Sequence, residues 1–430
     1  MQWVREPLGD ICREGKGRIQ TGPFGSQLHE SDYSADGTPV VMPADIVDGK
    51  VAVTRIARVT ESHVERLKRH KLAKGDIVYG RRGDIGRQAL VRDENIGWLC
   101  GTGCLKISLG DSPLISEFLH RYLSTKAVVS WIEGQAVGAT MPNLNTGILE
   151  RVPVFYPKDK TTQKKIAAIL SAYDELIENN QRRIALLEKM AEEIYREWFV
   201  RLRFPGHEKV KVIKGVPEGW KLVRLENAFK FTGGGTPTKD VTRYWDSGDV
   251  NWFTPSDITG ADGIFLERSG EQCTEVGFNN SSAKMFPANS VMLTSRATIG
   301  AVGINLTPAC TNQGFISCIP NARYPLPYLY HWIKLAKAHF ELLSGGATFA
   351  ELTKGTFKRI EIMTPPEPIV TEFARIESPL FEAIENHLRA NRKLTETRDK
   401  LLPRLISGKL SVENLDIQFP PSMEEPVHEI

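Results

Sequence analysis

A chain of 430 residues has room for about three domain-sized units, and its 41% hydrophobic and 25% charged residues suit a soluble globular protein. Lys and Arg number 55 against 52 Asp and Glu, a formal charge of +3, so any basic surface must be local. The start MQWVREPLGD lacks the apolar core of a signal peptide, no apolar run reaches membrane-span length, and six cysteines without a CxxC pair argue against a disulfide scaffold or a structural metal site. A reducing, cytoplasmic compartment is expected, with no metal and no cofactor.

In chain order, short β-branched and aromatic runs come first, among them GTPVVM (37–42) and GDIVYG (75–80), broken by Gly, Pro and Asp. A helical piece follows, SEFLHRYLSTKAVVSWI (116–132), then a Gly-rich loop, GATMPNLNTG (138–147), and a strand ending at proline, RVPVFYP (151–157). A long helix begins after it. The order then repeats: strands such as NSVMLTS (289–295) and QGFISCI (313–319), the helical LPYLYHWIKLAKAHFELL (326–343), the loop GATFAELTKG (346–355), the strand RIEIMTP (359–365), and a second long helix.

The repetition reaches single residues. Trp3 and Leu8 return as Trp220 and Leu225, Pro43 and Asp45 as Pro255 and Asp257, and Arg82, Ile85 and Gly86 as Arg296, Ile299 and Gly300. Gly138-Ala139-Thr140 returns as Gly346-Ala347-Thr348, and Ile177-Glu178-Asn179 as Ile384-Glu385-Asn386. The offset drifts only from about 217 to about 207 residues, which marks a duplication.

From Gln163 to Phe199 there is neither Gly nor Pro. Ile166, Leu170, Tyr173, Ile177, Asn180, Ile184, Leu187, Ala191, Ile194 and Trp198 alternate in steps of four and three, a coiled-coil seam in which Asn180 would fix register. The second helix offers Phe373, Leu380, Ile384, His387, Asn391, Leu394, Leu401 and Leu405, with Glu377 and Arg398 at two seam positions. Pairing the two helices within the chain is simplest antiparallel, with one globular unit at each end. Roughly 40 residues then make a rod of about 60 Å, suited to measuring the distance between half-sites on duplex DNA.

Residues 64–92 carry nine Lys or Arg against three Asp or Glu. Such basic residues among turns suit phosphate contact, and Arg69, Arg81, Arg82 and Arg87 are candidates, with Lys16 and Arg18 earlier in the chain. Arg296, the counterpart of Arg82, has few charged neighbours in sequence, and Ser295 precedes it. The loops TGPFGSQL (21–28) and TGGGTPTKDVTRYW (232–245) join glycines to polar side chains, here Ser26, Gln27, Thr236, Thr238, Lys239, Arg243 and Tyr244. Asn312 and Gln313 are amides able to read adenine. GGGTPTK lacks the GK[ST] ending of a nucleotide-binding loop.

W-x4-L-x-N at Trp220, TGGGTPTKDVTRYW, VNWFTPSDI, LTSRATIG, GGATFAELTKGTFKRIEIMTPP and KLLPRLISGKL resemble the motifs of type I restriction–modification specificity subunits, in the same order, from Trp3 to about Leu410. The resemblance implies a non-catalytic subunit whose two target recognition domains read the halves of an interrupted DNA sequence. It also implies helices that dock two methyltransferase subunits, with two restriction subunits joining them. The expected fold is α+β: two homologous mixed-sheet domains joined by two long antiparallel coiled-coil helices, a pseudo-twofold internal repeat. Boundaries are drawn at 1–158 and 204–369 for the recognition domains, 159–203 and 370–411 for the helical spacers, and 412–430 for a flexible tail. The alternatives are a coiled-coil scaffold and an enzyme acting on DNA by itself. TPPE (364–367), the nearest string to a methyltransferase tetrapeptide, lacks its amide and its aromatic ring.

Overall fold

The computed structural model describes residues 2–135, 144–345, 350–420 and 423. The Gly138-Ala139-Thr140 and Gly346-Ala347-Thr348 members of the repeat lie outside the described residues.

The first copy contains β1 (Trp3–Pro7), α1 (Leu8–Glu14), β2 (Lys16–Thr21), β3 (Thr38–Val41), β4 (Ile77–Gly80), β5 (Gln88–Leu90), β6 (Leu99–Cys100), β7 (Cys104–Gly110), α2 (Ser116–Leu123), β8 (Pro153–Pro157) and the long helix α3 (Lys160–Tyr195). The second contains β9 (Lys221–Arg224), β10 (Lys230–Gly233), β11 (Val250–Phe253), β12 (Val291–Thr294), β13 (Val302–Asn305), β14 (Ala309–Thr311), β15 (Phe315–Ile319), α4 (Leu326–Leu335), α5 (Lys354–Arg359), β16 (Glu361–Thr364) and the long helix α6 (Glu367–Ile406).

Each copy divides its strands among separate sheets. An antiparallel sheet has the order β2-β7-β4-β5 in the first copy; the same antiparallel order, β10-β15-β12-β13, recurs in the second, where a fifth strand, Phe265–Leu266, adds in parallel beside β13. A smaller mixed sheet holds a parallel pair, β3 with β6 and β11 with β14. The opening strand pairs with the strand that precedes the long helix, β1 with β8 and β9 with β16.

Alternation along the central strands explains why they are buried on both faces. Ile77 and Tyr79 of β4, with Leu105 and Ile107 of β7, pack on Leu8, Ile11 and Phe118 of α1 and α2. Val78 and Cys104, pointing the other way, join Val41 and Cys100 of the smaller sheet. In the second copy Val291, Leu293 and Ile316 face the helical side, while Met292 and Phe315 meet Phe253. Pro43-Asp45 and Pro255-Asp257 repeat for a local reason. Each Asp carboxylate accepts the amide three residues back, from Met42 at 2.9 Å and from Thr254 at 2.6 Å, capping a short helical turn.

The chain forms two compact units, residues 1–177 with 393–430, and residues 178–392. This grouping differs from the sequence boundaries, because parts of both long helices belong to the core of each unit. In the first unit Ile166 and Leu170 of α3 pack with Leu405 and Ile406 of α6 among the residues of the head. Arg398, the basic residue of the second seam, meets Asp174 at 2.6 Å, and Arg121 of α2 binds the same carboxylate. Gly408 turns at φ +71°, close enough to Trp3 that a side chain there would strike the indole. Of the expected flexible tail, Val412 is buried, and the Lys165 ammonium donates to the carbonyls of Glu413 and Leu415, each at 2.7 Å.

In the second unit Ile184, Ala191 and Trp198 of the α3 seam and its extension pack with Phe373 and Ile384 of α6, and Leu187, Ile194 and Leu380 border them. The two segments run antiparallel: Asn180 donates to the side chain of Asn391 at 2.8 Å, while Trp198 packs on Phe373 with ring centroids 5.7 Å apart. Tyr173, Ile177, Leu394 and Leu401 are half-buried. Helix α6 continues through Pro379, which removes one amide hydrogen bond, because Phe373, Phe381 and Ile384 on either side of it are anchored in the core.

Candidate nucleic-acid interface

In the first head, four loops meet at one end of the central sheet. Gly22, after β2, donates its amide to Cys104 O at 2.9 Å, and Arg81, after β4, donates its amide to Gly103 O at 2.8 Å. The amide of Leu144 donates to Arg81 O at 3.0 Å, bringing the segment that begins at Leu144 to the same end. Gln27 accepts from the Phe24 amide at 3.2 Å and from Arg69 Nη2 at 3.3 Å, and Gln20 donates to the Arg69 carbonyl at 2.7 Å. Arg69 therefore stands beside the loop that carries Ser26 and Gln27. Arg69 Nε also donates to buried His70, whose pKa is pushed down to about 4 by burial and by the positive charges of Arg69 and Lys106.

The three arginines of this head's turn have different roles. Arg81 Nε donates to the Leu144 carbonyl at 3.0 Å and braces the loops. Arg87 pairs with Asp84 at 3.1 Å. Arg82 is exposed, precedes Gly83 at φ +84°, and no described residue pairs with its guanidinium. Lys16 sits at the opposite end of β2, about 17 Å from the loops at the usual rise per residue. Arg18 is exposed in mid-strand.

The second head builds the same end from equivalent loops. Gly235 donates to Thr311 O at 2.9 Å, Ser295 to Gly314 O at 2.7 Å, and Leu352 to Ser295 O at 2.9 Å. The glycine run serves close packing within the chain. A side chain on Gly234 would strike the carbonyls of Thr311 and Asn312, and one on Gly235 would strike Ser282. Thr236 donates to Gln313 at 2.6 Å, and Asn312 accepts the Gly314 amide at 2.9 Å, closing its turn. Lys239 is engaged twice, by Glu271 at 2.6 Å and by the Trp245 ring at 3.7 Å. The Thr238 carbonyl accepts from Trp245. Arg243 lies over the Tyr244 ring at 5.5 Å, and the carbonyls of both residues accept from Thr274.

Arg296 is exposed but not free: its Nε lies 2.8 Å from Glu351 Oε1. Ala297 after it holds φ +58°, where its counterpart is Gly83, so the turn keeps a left-handed residue even without glycine. Glu351 and Lys354 lie within the GGATFAELTKG motif but are not among the candidate contact residues read from the sequence, although ELTKG aligns with NLNTG. The charge present only in the second copy was the available signal.

The model for the type I restriction modification DNA specificity domain matches this chain twice, over residues 2–189 and 217–395. The chain is 26% identical to the MjaIX specificity subunit of Methanocaldococcus jannaschii, covering 89% of each chain. It is also 26% identical to the HindI specificity subunit of Haemophilus influenzae, over 95% of this chain and 99% of that one. The solved S subunit from M. genitalium shares the fold with a TM-score of 0.60 at 17% identity, over 94% of this chain and 96% of that one. With two matched domains, each built on the same sheets and the same four-loop end, this chain belongs to the family of type I restriction–modification DNA specificity subunits.

Proposed function

We propose that each loop cluster reads one half of an interrupted duplex target, and that the chain itself performs no catalysis. The observation that carries this reading is the duplication of one loop arrangement on two homologous heads. A bipartite target requires two similar readers with different side chains, and base readout lies in local loops while phosphate contacts set register. Ser26, Gln27, Arg69 and Arg82 would serve the first half-site, and Thr236, Arg296 and Gln313 the second. Arg81, Arg87, Lys239, Ser295 and Asn312 would shape the loops that present them. Two methyltransferase subunits would supply base methylation and two restriction subunits would supply translocation and cutting, in the cytoplasm, with the paired helices as the docking and spacing element. Methylation sequencing of a strain expressing the complete system tests this. One interrupted motif methylated on both strands is expected, and it should vanish when this chain is deleted. An uninterrupted motif, or methylation that persists without the chain, would count against the reading.

A further inference from the structure

The two loop clusters differ in how their cations are engaged. In the first head the Arg82 guanidinium has no partner among the described residues, and the position corresponding to Glu351 is the neutral Asn143, itself outside the described residues. In the second head Glu351 occupies Arg296, and Glu271 occupies Lys239. Arg243 lies over the Tyr244 ring, and a further cation beside the Arg296 turn that carries no carboxylate would offer this head a phosphate contact.

Lys354, at the start of α5, is exposed, and no carboxylate among the described residues pairs with its ammonium. Its chain lies across the backbone of Gly233, so that a methyl group at Gly233 would collide with the Cε and Nζ of the lysine. Beneath it the loop backbone is fixed, since Gly234 and Gly235 are wedged against the carbonyls of Thr311 and Asn312 and against Ser282. The corresponding residue of the first copy is Thr146, with no charge to place there.

We propose that Lys354, seated on Gly233, is a phosphate-contacting cation of the second head, serving there as the Arg82 fork serves in the first. This rests on the reading of the loop clusters as the DNA-facing surface, and it assigns Gly233 as the positioning residue that leaves room for the lysine. The ligand is a backbone phosphodiester of duplex DNA, so the contribution should be independent of sequence.

The test is a salt series of binding to mixed-sequence duplex DNA by the full-length chain, comparing Lys354→Met, Gly233→Ala, their double variant and Arg82→Ala. Lys354→Met keeps the stem and removes the charge. It should weaken binding and make the slope of log affinity against log salt shallower by about one. Gly233→Ala should shift the slope in the same direction with an unchanged melting temperature, because only the flexible end of the lysine must move, and the double variant should be no worse than Lys354→Met. If both single variants keep the wild-type slope while Arg82→Ala flattens it, the lysine proposal falls and the interface stands. If Arg82→Ala also binds as wild type, the loop clusters face away from DNA and both fall.

Discussion

Glu377 has no exposed surface, and its carboxyl lies 3.4 Å from the imidazole of His331, also buried, in a pocket of rings that includes Tyr195, Tyr330 and Phe381. Burial pushes the Glu377 pKa up from 4.5 to about 8. Burial pushes His331 down from 6.5 to about 3, with Lys334 and Arg196 acting in the same direction and Glu192 opposing them. Stability from the neutral carboxyl is complete below pH 4.5 and lost as pH rises through 8; stability from the neutral imidazole is complete above 6.5 and lost as pH falls through 3. The two effects cancel between 4.5 and 6.5, where one proton passes from imidazole to carboxyl on folding. Above 6.5 the carboxyl acts alone, so the second unit should lose stability as pH rises from 6.5 toward 8. Thermal melts should show Glu377→Gln removing that slope; a Gln variant as pH-dependent as wild type would place the proton elsewhere. At the loop end, Glu351→Gln should release Arg296 and raise affinity for duplex DNA, with a salt slope steeper by about one. Unchanged binding on titration would mean that Arg296 serves only to close its loop.

Among the elements, the long helices were the most legible, because a seam without Gly or Pro from Gln163 to Phe199 admits little else. Asn180 was expected to fix register, and it bonds to Asn391 across the helix pair. Asn180→Leu should cost about 1 kcal/mol through the lost hydrogen bond, and Asn180→Leu combined with Asn391→Leu should cost less than the sum of the two singles. Additive costs in denaturant titrations would show that the amides do not act as a pair. The polar seam residues Arg398 and Glu377 were visible in sequence, but their partners Asp174 and His331 were not. Those contacts join positions 224 residues apart in the first case and link α4 to α6 in the second. The division of each head into separate sheets was hidden for a similar reason: buried strands of four residues, such as β4 and β12, show no alternation in polarity from which to assign their faces. The arginine turns were legible by the repeat, whereas the engagement of Arg296 depends on Glu351, more than 50 positions away.

For the whole molecule, duplication explains both the constancy and the variation. The order of the four shared central strands, the capped Pro-x-Asp turns and the ring of four loops are the same in both heads, since they set where the loops stand. The loop residues differ: Ser26 and Gln27 against Thr236, Asn143 against Glu351, Thr146 against Lys354. A shared frame with separately varied loops predicts two independent readers. The most direct measurement is methylation sequencing after residues 1–158 are exchanged for the corresponding segment of a relative with a different target, in the complete system. One half of the interrupted motif should change while the other half stays as it was. A change in both halves, or in neither, would contradict the assignment of one half-site to each head.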